Sequence, residues 1–148
     1  MASVMIKRDI KAPAREVWTL LSDFGGIGNI MRGMGPDDLT MEGEGLLAVR
    51  TIKTPTGTVK ERCEALDEAN MMMSYSILGD APLPITHYLS TFRVFETGPQ
   101  SCRVEWGSSF QPDGTVPLAE VEPMIEAIYK SGIIGTQKKL GVFEKIAG

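Results

Sequence analysis

The stretch from Pro117 to Ile146, PLAEVEPMIEAIYKSGIIGTQKKLGVFEKI, reads as one long helix closing a chain whose body reads as strands. Val121, Ile125, Ile128, Gly132, Gly135 and Leu140 recur close to the helical period, while Glu120, Glu122, Glu126, Lys130, Lys138 and Lys139 fall mostly on other faces. At ~1.5 Å per residue such a helix spans roughly 40 Å. Its inward stripe shrinks as it proceeds. A glycine inside a helix costs about 1 kcal/mol against alanine, so Gly132 and Gly135 answer to something other than helix stability. They either bring the helix close to its neighbours or leave a hollow between helix and sheet. The expectation taken here is the hollow, a ligand-sized cavity beneath Gly132 and Gly135.

Upstream of this helix the chain alternates and turns. Val4 to Ile10 has strand character, and Ala12-Pro13-Ala14 opens a short helix with proline where its missing N–H does no harm. Glycines after Asp23-Phe24 break that helix, and a second short helix or turn follows to Ile30. Further strands are expected over about 39–42, 46–53, 58–66, 71–78, 86–95 and 102–111. Turn residues separate them, at Glu42-Gly43-Glu44-Gly45, Thr54-Pro55-Thr56-Gly57, Glu68-Ala69-Asn70 and Thr97-Gly98-Pro99-Gln100. Hairpin connections make the sheet antiparallel. The order is one strand, two short helices, six strands and a long helix, an α+β fold whose seven-stranded sheet buries one face against that helix.

The bulk composition narrows the function. With 148 residues, 43% of them apolar, 23% charged and a net charge of -4, the chain is expected to form one domain, residues 1–148, with a core of its own. The apolar runs are too short to span a bilayer, and the start lacks the pattern of a secretory signal, so a cytoplasmic protein is expected. Cys63 and Cys102 sit in strand-like runs and are read as reduced packing residues. Scattered Lys and Arg in an acidic chain argue against a nucleic-acid partner. The glycines near Phe24 do not form a phosphate loop, because no Gly-Lys-Ser/Thr follows them.

Several local signatures occur in a set order: Ala12 to Trp18 with Asp23-Phe24-Gly25-Gly26, Glu61-Arg62 with Leu66-Asp67, and Leu83-Pro84-Ile85 with Tyr88. Val104-Glu105-Trp106, followed by Phe110 to Gly114, completes the set. Spread over nearly the whole chain, they resemble the START-like, SRPBCC or helix-grip superfamily. That group includes lipid-transfer domains, the birch-pollen-allergen group, polyketide cyclases and dehydrases, and plant abscisic-acid receptors. The resemblance implies a helix-grip fold and a cavity, more firmly than any one reaction. It also implies cavity positions: Arg32 where the receptors carry a lysine, Glu61 and Glu105 on cavity glutamates, and Tyr75, Ile77, Tyr88 and Ser90 on the lining. Leu83 and Ile85 would stand at the entrance, and Ile128, Gly132 and Thr136 on the helix above. The receptor gate is replaced by Thr54-Pro55-Thr56-Gly57 and the latch by Pro82-Leu83-Pro84, so hormone-dependent phosphatase docking is not carried over.

Strand parity tests these positions. Val59, Glu61, Cys63 and Ala65 share one face of their strand, opposite Lys60, Arg62 and Glu64, which turns Glu61 inward. An inward carboxylate needs a partner, and Arg32 is the expected one. In strand 102–111 apolarity turns Val104, Trp106 and Phe110 inward, whereas the resemblance turns Arg103, Glu105, Gly107 and Ser109 inward. The expectation follows the resemblance and leaves Trp106 outside. His87, the only histidine, should face away from the cavity if Tyr88 lines it, so a serine-histidine relay or a histidine metal centre lacks its parts; neither metal nor cofactor is expected. Met31, Met34 and Met71 to Met73 are read as adaptable core or cavity wall.

The function expected is binding or carriage of a small, largely apolar ligand in a cavity between sheet and helix, entered past residues 54–57 and 81–85. The alternative is a polyketide cyclase or dehydrase in which Glu61 acts as acid or base, with Arg32 and Tyr88 orienting the substrate. Exposed Trp106 and Leu89 would allow pairing with a second copy.

Overall fold

The computed structural model describes residues 1–144. Strand β1 (Ala2–Ile10) is followed by helix α1 (Ala14–Leu21) and two 3₁₀ turns, Phe24–Asn29 and Pro36–Asp38. Six strands follow: β2 (Leu39–Glu42), β3 (Val49–Thr54), β4 (Gly57–Asp67), β5 (Met72–Ile77), β6 (Ile85–Gly98) and β7 (Ser101–Pro112). Helix α2 (Leu118–Lys139) comes last. The strands form one antiparallel sheet in the order β1-β7-β6-β5-β4-β3-β2. Each strand from β2 to β7 pairs with the next, as hairpin connections dictate, and β1 closes onto β7. This is the helix-grip fold.

Helix α2 is shorter than its sequence pattern suggests. It ends at Lys139 because Gly141 takes up a left-handed conformation (φ 72°), donating to the Lys138 carbonyl while Val142 N–H reaches back to Gln137. Those two bonds satisfy the last carbonyls, and glycine enters that backbone region without a Cβ penalty. Ile146 lies outside the described residues. At ~1.5 Å per residue α2 runs roughly 33 Å. Its buried side is Val121, Ile125, Tyr129, Gly132, Ile133, Thr136 and Gln137, so Tyr129 and Ile133 fill the stripe beside the glycines.

Aromatic rings join the two helices across the inner face of the sheet. Trp18 of α1 lies 5.8 Å from Phe92, Phe92 lies 5.4 Å from Trp106, and Trp106 stacks on Tyr129 of α2 at 5.0 Å. Trp106 is therefore buried. Strand β7 follows its apolar parity, with Cys102, Val104, Trp106, Ser108 and Phe110 inward. A Cβ on Gly107 would meet the Val4 carbonyl oxygen at 2.6 Å, on the side where β1 is paired. The small residues there fit close backbone contact and do not line a hollow.

Cys63 and Cys102 are buried free thiols. Burial raises both, and Cys102 is pushed up to about 11, with the Asp9 carboxylate adding to the effect. An unfolded thiol ionises near 9.0, before the folded one does, so these groups contribute no pH dependence at neutrality and favour unfolding as pH climbs from about 9 to 11. The thermal midpoint should fall over that window. Iodoacetamide at about pH 8 should label neither cysteine in the folded protein and both in denaturant. Native labelling at the unfolded rate would contradict the burial.

Candidate functional site

A cavity of about 200 Å³ lies between the sheet and the first half of α2. Ile125 and Ile128 of α2 roof it, and Ile27, Met31 and Met34 close one flank. Ile52, Val59, Ile77 and Trp106 supply further apolar wall, with Thr54 and Leu83 beside them. Four polar side chains reach it from neighbouring strands: Arg50, Glu61, Tyr75 and Tyr88.

Arg50 and Glu61 are directly opposite each other in the β3–β4 register, on the inward face of both strands. Arg50 Nε donates to Glu61 Oε1 at 2.8 Å, and Nη1 donates to the Phe24 carbonyl at 3.2 Å. Both side chains are buried, at 5% and 11% exposure, a depth at which neither charge could stand alone. The guanidinium carbon also sits 3.9 Å from the centre of the Phe24 ring and 5.0 Å from that of Tyr75. The two rings cover this cation and hold its fork in place.

The rest of the polar wall is neutral. Tyr88 and Tyr129 share a hydrogen bond between hydroxyls. Trp106 Nε1 donates to Tyr75 Oη at 3.2 Å and to Ser90 Oγ at 3.1 Å, and Ser90 in turn donates to the Gly107 carbonyl at 3.1 Å. Burial raises all three phenols above their ordinary value, so they stay protonated at neutral pH and offer hydrogen bonds without adding charge.

Set against the sequence-derived positions, the cavity wall includes Glu61, Tyr75, Ile77, Leu83, Tyr88 and Ile128. The others lie elsewhere. Arg32 is exposed in a groove beside α2, because the stretch between the two 3₁₀ turns runs along the helix with Ile30 and Met31 turned inward and Arg32 turned to solvent; Arg50 holds Glu61 in its place. Glu105 faces outward on β7, in register with Lys7 on one side and Arg93 on the other, since apolar parity wins over the resemblance. Ser90 is buried behind the wall and positions Trp106. Ile85 lines a separate hollow near the start of β6, where a bulge between Thr86 and Leu89 turns both Ile85 and Tyr88 inward and leaves His87 exposed. Thr136 is buried against its own helix, donating to the Gly132 carbonyl at 2.9 Å.

Gly132 and Gly135 mark contacts: among the described residues Trp106, Met31 and Ile30 take up the space where the hollow was expected. A Cβ on Gly135 would fall 1.6 Å from the Ile30 carbonyl oxygen, and one on Gly132 would fall 2.7 Å from the Trp106 ring. The cavity lies further toward the N-terminus of the helix, under Ile125 and Ile128. Arg50 and Trp106, with the apolar Ile27 and Ile52, are among the wall residues that sequence reasoning missed. The first two had signals. Arg50 precedes Thr54 by the distance at which Glu61 follows Gly57, so a tight turn at 55–56 puts them opposite, and simple parity turns Trp106 inward.

A family profile described as polyketide cyclase / dehydrase and lipid transport matches residues 1–141, and the chain belongs to this family of ligand-binding helix-grip proteins. Among solved structures it is similar to XoxI of Bacillus cereus, with 29% identity, a TM-score of 0.82, and coverage of 94% of this chain and 95% of that one. An uncharacterised protein of Bacillus thuringiensis shares 28% identity at a TM-score of 0.81, covering 93% and 98%. Truncated norcoclaurine synthase of Thalictrum flavum has the same fold at 18% identity, with a TM-score of 0.78 over 97% and 95% of the two chains. No curated protein matches. Among the described residues no helix is long and apolar enough to cross a membrane.

Proposed function

We propose that the protein binds or carries a small, largely apolar molecule with one neutral oxygen group, held between the sheet and the first half of α2. The observation that carries this reading is a complete ion pair, Arg50 with Glu61, in the wall of a largely apolar cavity. The pair is neutral overall. A guest bringing a full charge to it would leave one charge uncompensated, whereas a carbonyl can accept from a guanidinium N–H and a hydroxyl can also donate to the carboxylate. The volume of about 200 Å³ falls below the ~300–1,000 Å³ common for drug-sized ligands, which favours one ring or a short chain over a two-tailed lipid. Native mass spectrometry of freshly purified protein tests this. A co-purifying neutral molecule lost from Glu61→Gln supports the reading, and an empty wild type that also takes up no apolar dye sinks it.

A second reading, an enzyme of the cyclase or dehydrase type, is favoured by Glu61 and the neutral Tyr88 phenol facing one cavity. Glu61 would take a proton beside a carbonyl while Tyr88 donates to its oxygen. Turnover of the co-purified molecule by wild type, with retained binding and lost turnover in Glu61→Gln, separates enzyme from carrier.

The loops around Pro55 and Pro84 are the proposed entrance. Thr54 and Leu83 belong to the cavity wall, and a Cβ on Gly57 would lie 3.4 Å from the Pro82 ring, so the two loops meet over one end of the cavity. Hydrogen exchange should slow at residues 54–58 and 80–86 when ligand binds. Unchanged exchange there, with protection elsewhere, would move the entrance to another edge.

A further inference from the structure

Outside the cavity, an open groove of about 990 Å³ runs between residues 29–32 and the outer face of α2. Its rim carries Arg32, Lys130, Lys138 and Lys139, all exposed, on a chain of net charge -4. Among the described residues no acidic one lines it. Lys130 has Glu126 at 4.0 Å, while among the described residues the other three cations have no carboxylate within ion-pair distance. The floor is apolar, formed by Ile30, Met31, Ile134 and Phe143, with the Lys138 ammonium 5.0 Å from the centre of the Phe143 ring.

One residue belongs to both spaces. Met31 lines the cavity and the groove, and its sulfur would be 3.3 Å from a Cβ on Gly132, so the missing side chain at Gly132 gives it room. The backbone beside it is pinned by Gly135 against the Ile30 carbonyl. What divides groove from cavity at this point is thus an unbranched side chain with three rotatable bonds, which can swing without moving the main chain.

We propose that the groove binds the anionic end of an amphiphile, a carboxylate or phosphate ester on an apolar body, and that Met31 swings aside to let that body into the cavity, a second opening distinct from the one between the loops around Pro55 and Pro84. The second half of this proposal rests on the cavity reading above. A cationic rim matches the anion, and an apolar floor matches the body next to it. The concave shape favours a single molecule over a flat bilayer. A polyanion would need basic surface beyond the rim, where acidic residues outnumber basic ones. The inner end of the amphiphile remains neutral at Arg50 and Glu61, and its charge stays outside.

Octyl phosphate and 1-octanol, each below its aggregation limit, are the probes, with calorimetry reading affinity and the Trp106 contribution to emission, isolated in a Trp18→Phe background, reading entry into the cavity. Octyl phosphate should bind at least about tenfold more tightly than the alcohol at low salt, and the advantage should vanish near 1 M salt, where screening acts within ~3 Å. The double variant Lys130→Glu/Lys138→Glu should lose the same advantage while binding 1-octanol as before. Met31→Ile, stiff at χ1, should slow the Trp106 response with the thermal midpoint nearly unchanged. Equal affinity for the two probes, or phosphate binding indifferent to salt and charge reversal, overturns the groove site. Charge-dependent binding that leaves Trp106 emission unchanged overturns the Met31 passage. If neither probe alters Trp106 while 1-octanol also fails to bind, the cavity reading has failed and the groove stands or falls on calorimetry alone. Binding to phosphatidylserine vesicles without binding of octyl phosphate would overturn the amphiphile in favour of a lipid surface.

Discussion

Replacing Arg50 by methionine is expected to lower stability by about 3–5 kcal/mol, because it strands the Glu61 carboxylate inside the cavity wall. Glu61→Gln should be comparably harmful, since it leaves the guanidinium buried without its counter-charge. Arg32→Met, on the exposed rim of the outer groove, should change stability by less than about 0.5 kcal/mol. Denaturant unfolding of the two single variants and of Arg50→Met/Glu61→Gln measures the coupling directly. The double variant should be much less damaged than the sum of the singles, because it removes both charges together. Small and independent effects would mean that the pair is solvated and that the polar end of the cavity has been misplaced. The same variants bear on function: a ligand oxygen that depends on the pair should lose affinity in all three, whereas Arg32→Met should leave binding of a neutral guest unchanged.

Gly135→Ala should be the most damaging single methyl added to α2, at about 3 kcal/mol or more. Its Cβ would fall 1.6 Å from the Ile30 carbonyl oxygen, a backbone atom that no rotamer change can move away. On helix propensity alone alanine would gain about 1 kcal/mol, so the sign of the measured change separates the two accounts. Gly132→Ala should be milder. Its new Cβ would press on the Trp106 ring at 2.7 Å and on the end of Met31 at 3.3 Å, side chains that can give way, and its effect should appear as altered Trp106 emission and ligand binding at a smaller stability loss. Thermal and denaturant unfolding with far-ultraviolet dichroism would read both. A Gly135→Ala protein as stable as wild type would show that α2 is not seated on the Ile30 carbonyl.

Much of the architecture is legible along the chain because hairpins and alternation are local. Turn residues at 42–45, 54–57, 68–70 and 97–100 separate strands whose observed limits lie close to the expected ones, and the alternation of Val59, Glu61 and Cys63 turns Glu61 inward as the structure has it. Register extends that reach, since a tight turn at 55–56 already places Arg50 across from Glu61. The C-terminal stop of α2 at Gly141 is equally local, yet the helical pattern read to Ile146 runs past it, because periodicity does not register the left-handed turn that glycine permits.

The glycines of α2 are different. A missing side chain reads the same whether it faces empty space or a neighbour in contact, and only the approach of Ile30 and Trp106, from distant parts of the chain, decides that Gly132 and Gly135 are contacts. Likewise Arg32 and Arg50 are equally cationic in sequence; the stretch 29–32 buries Ile30 against α2 and turns Arg32 to solvent, and the inward face of β3 sends Arg50 to Glu61. Periodicity and turn chemistry determine which face a residue takes within its own element. What that face meets depends on distances between elements, and those are set by packing the whole chain at once.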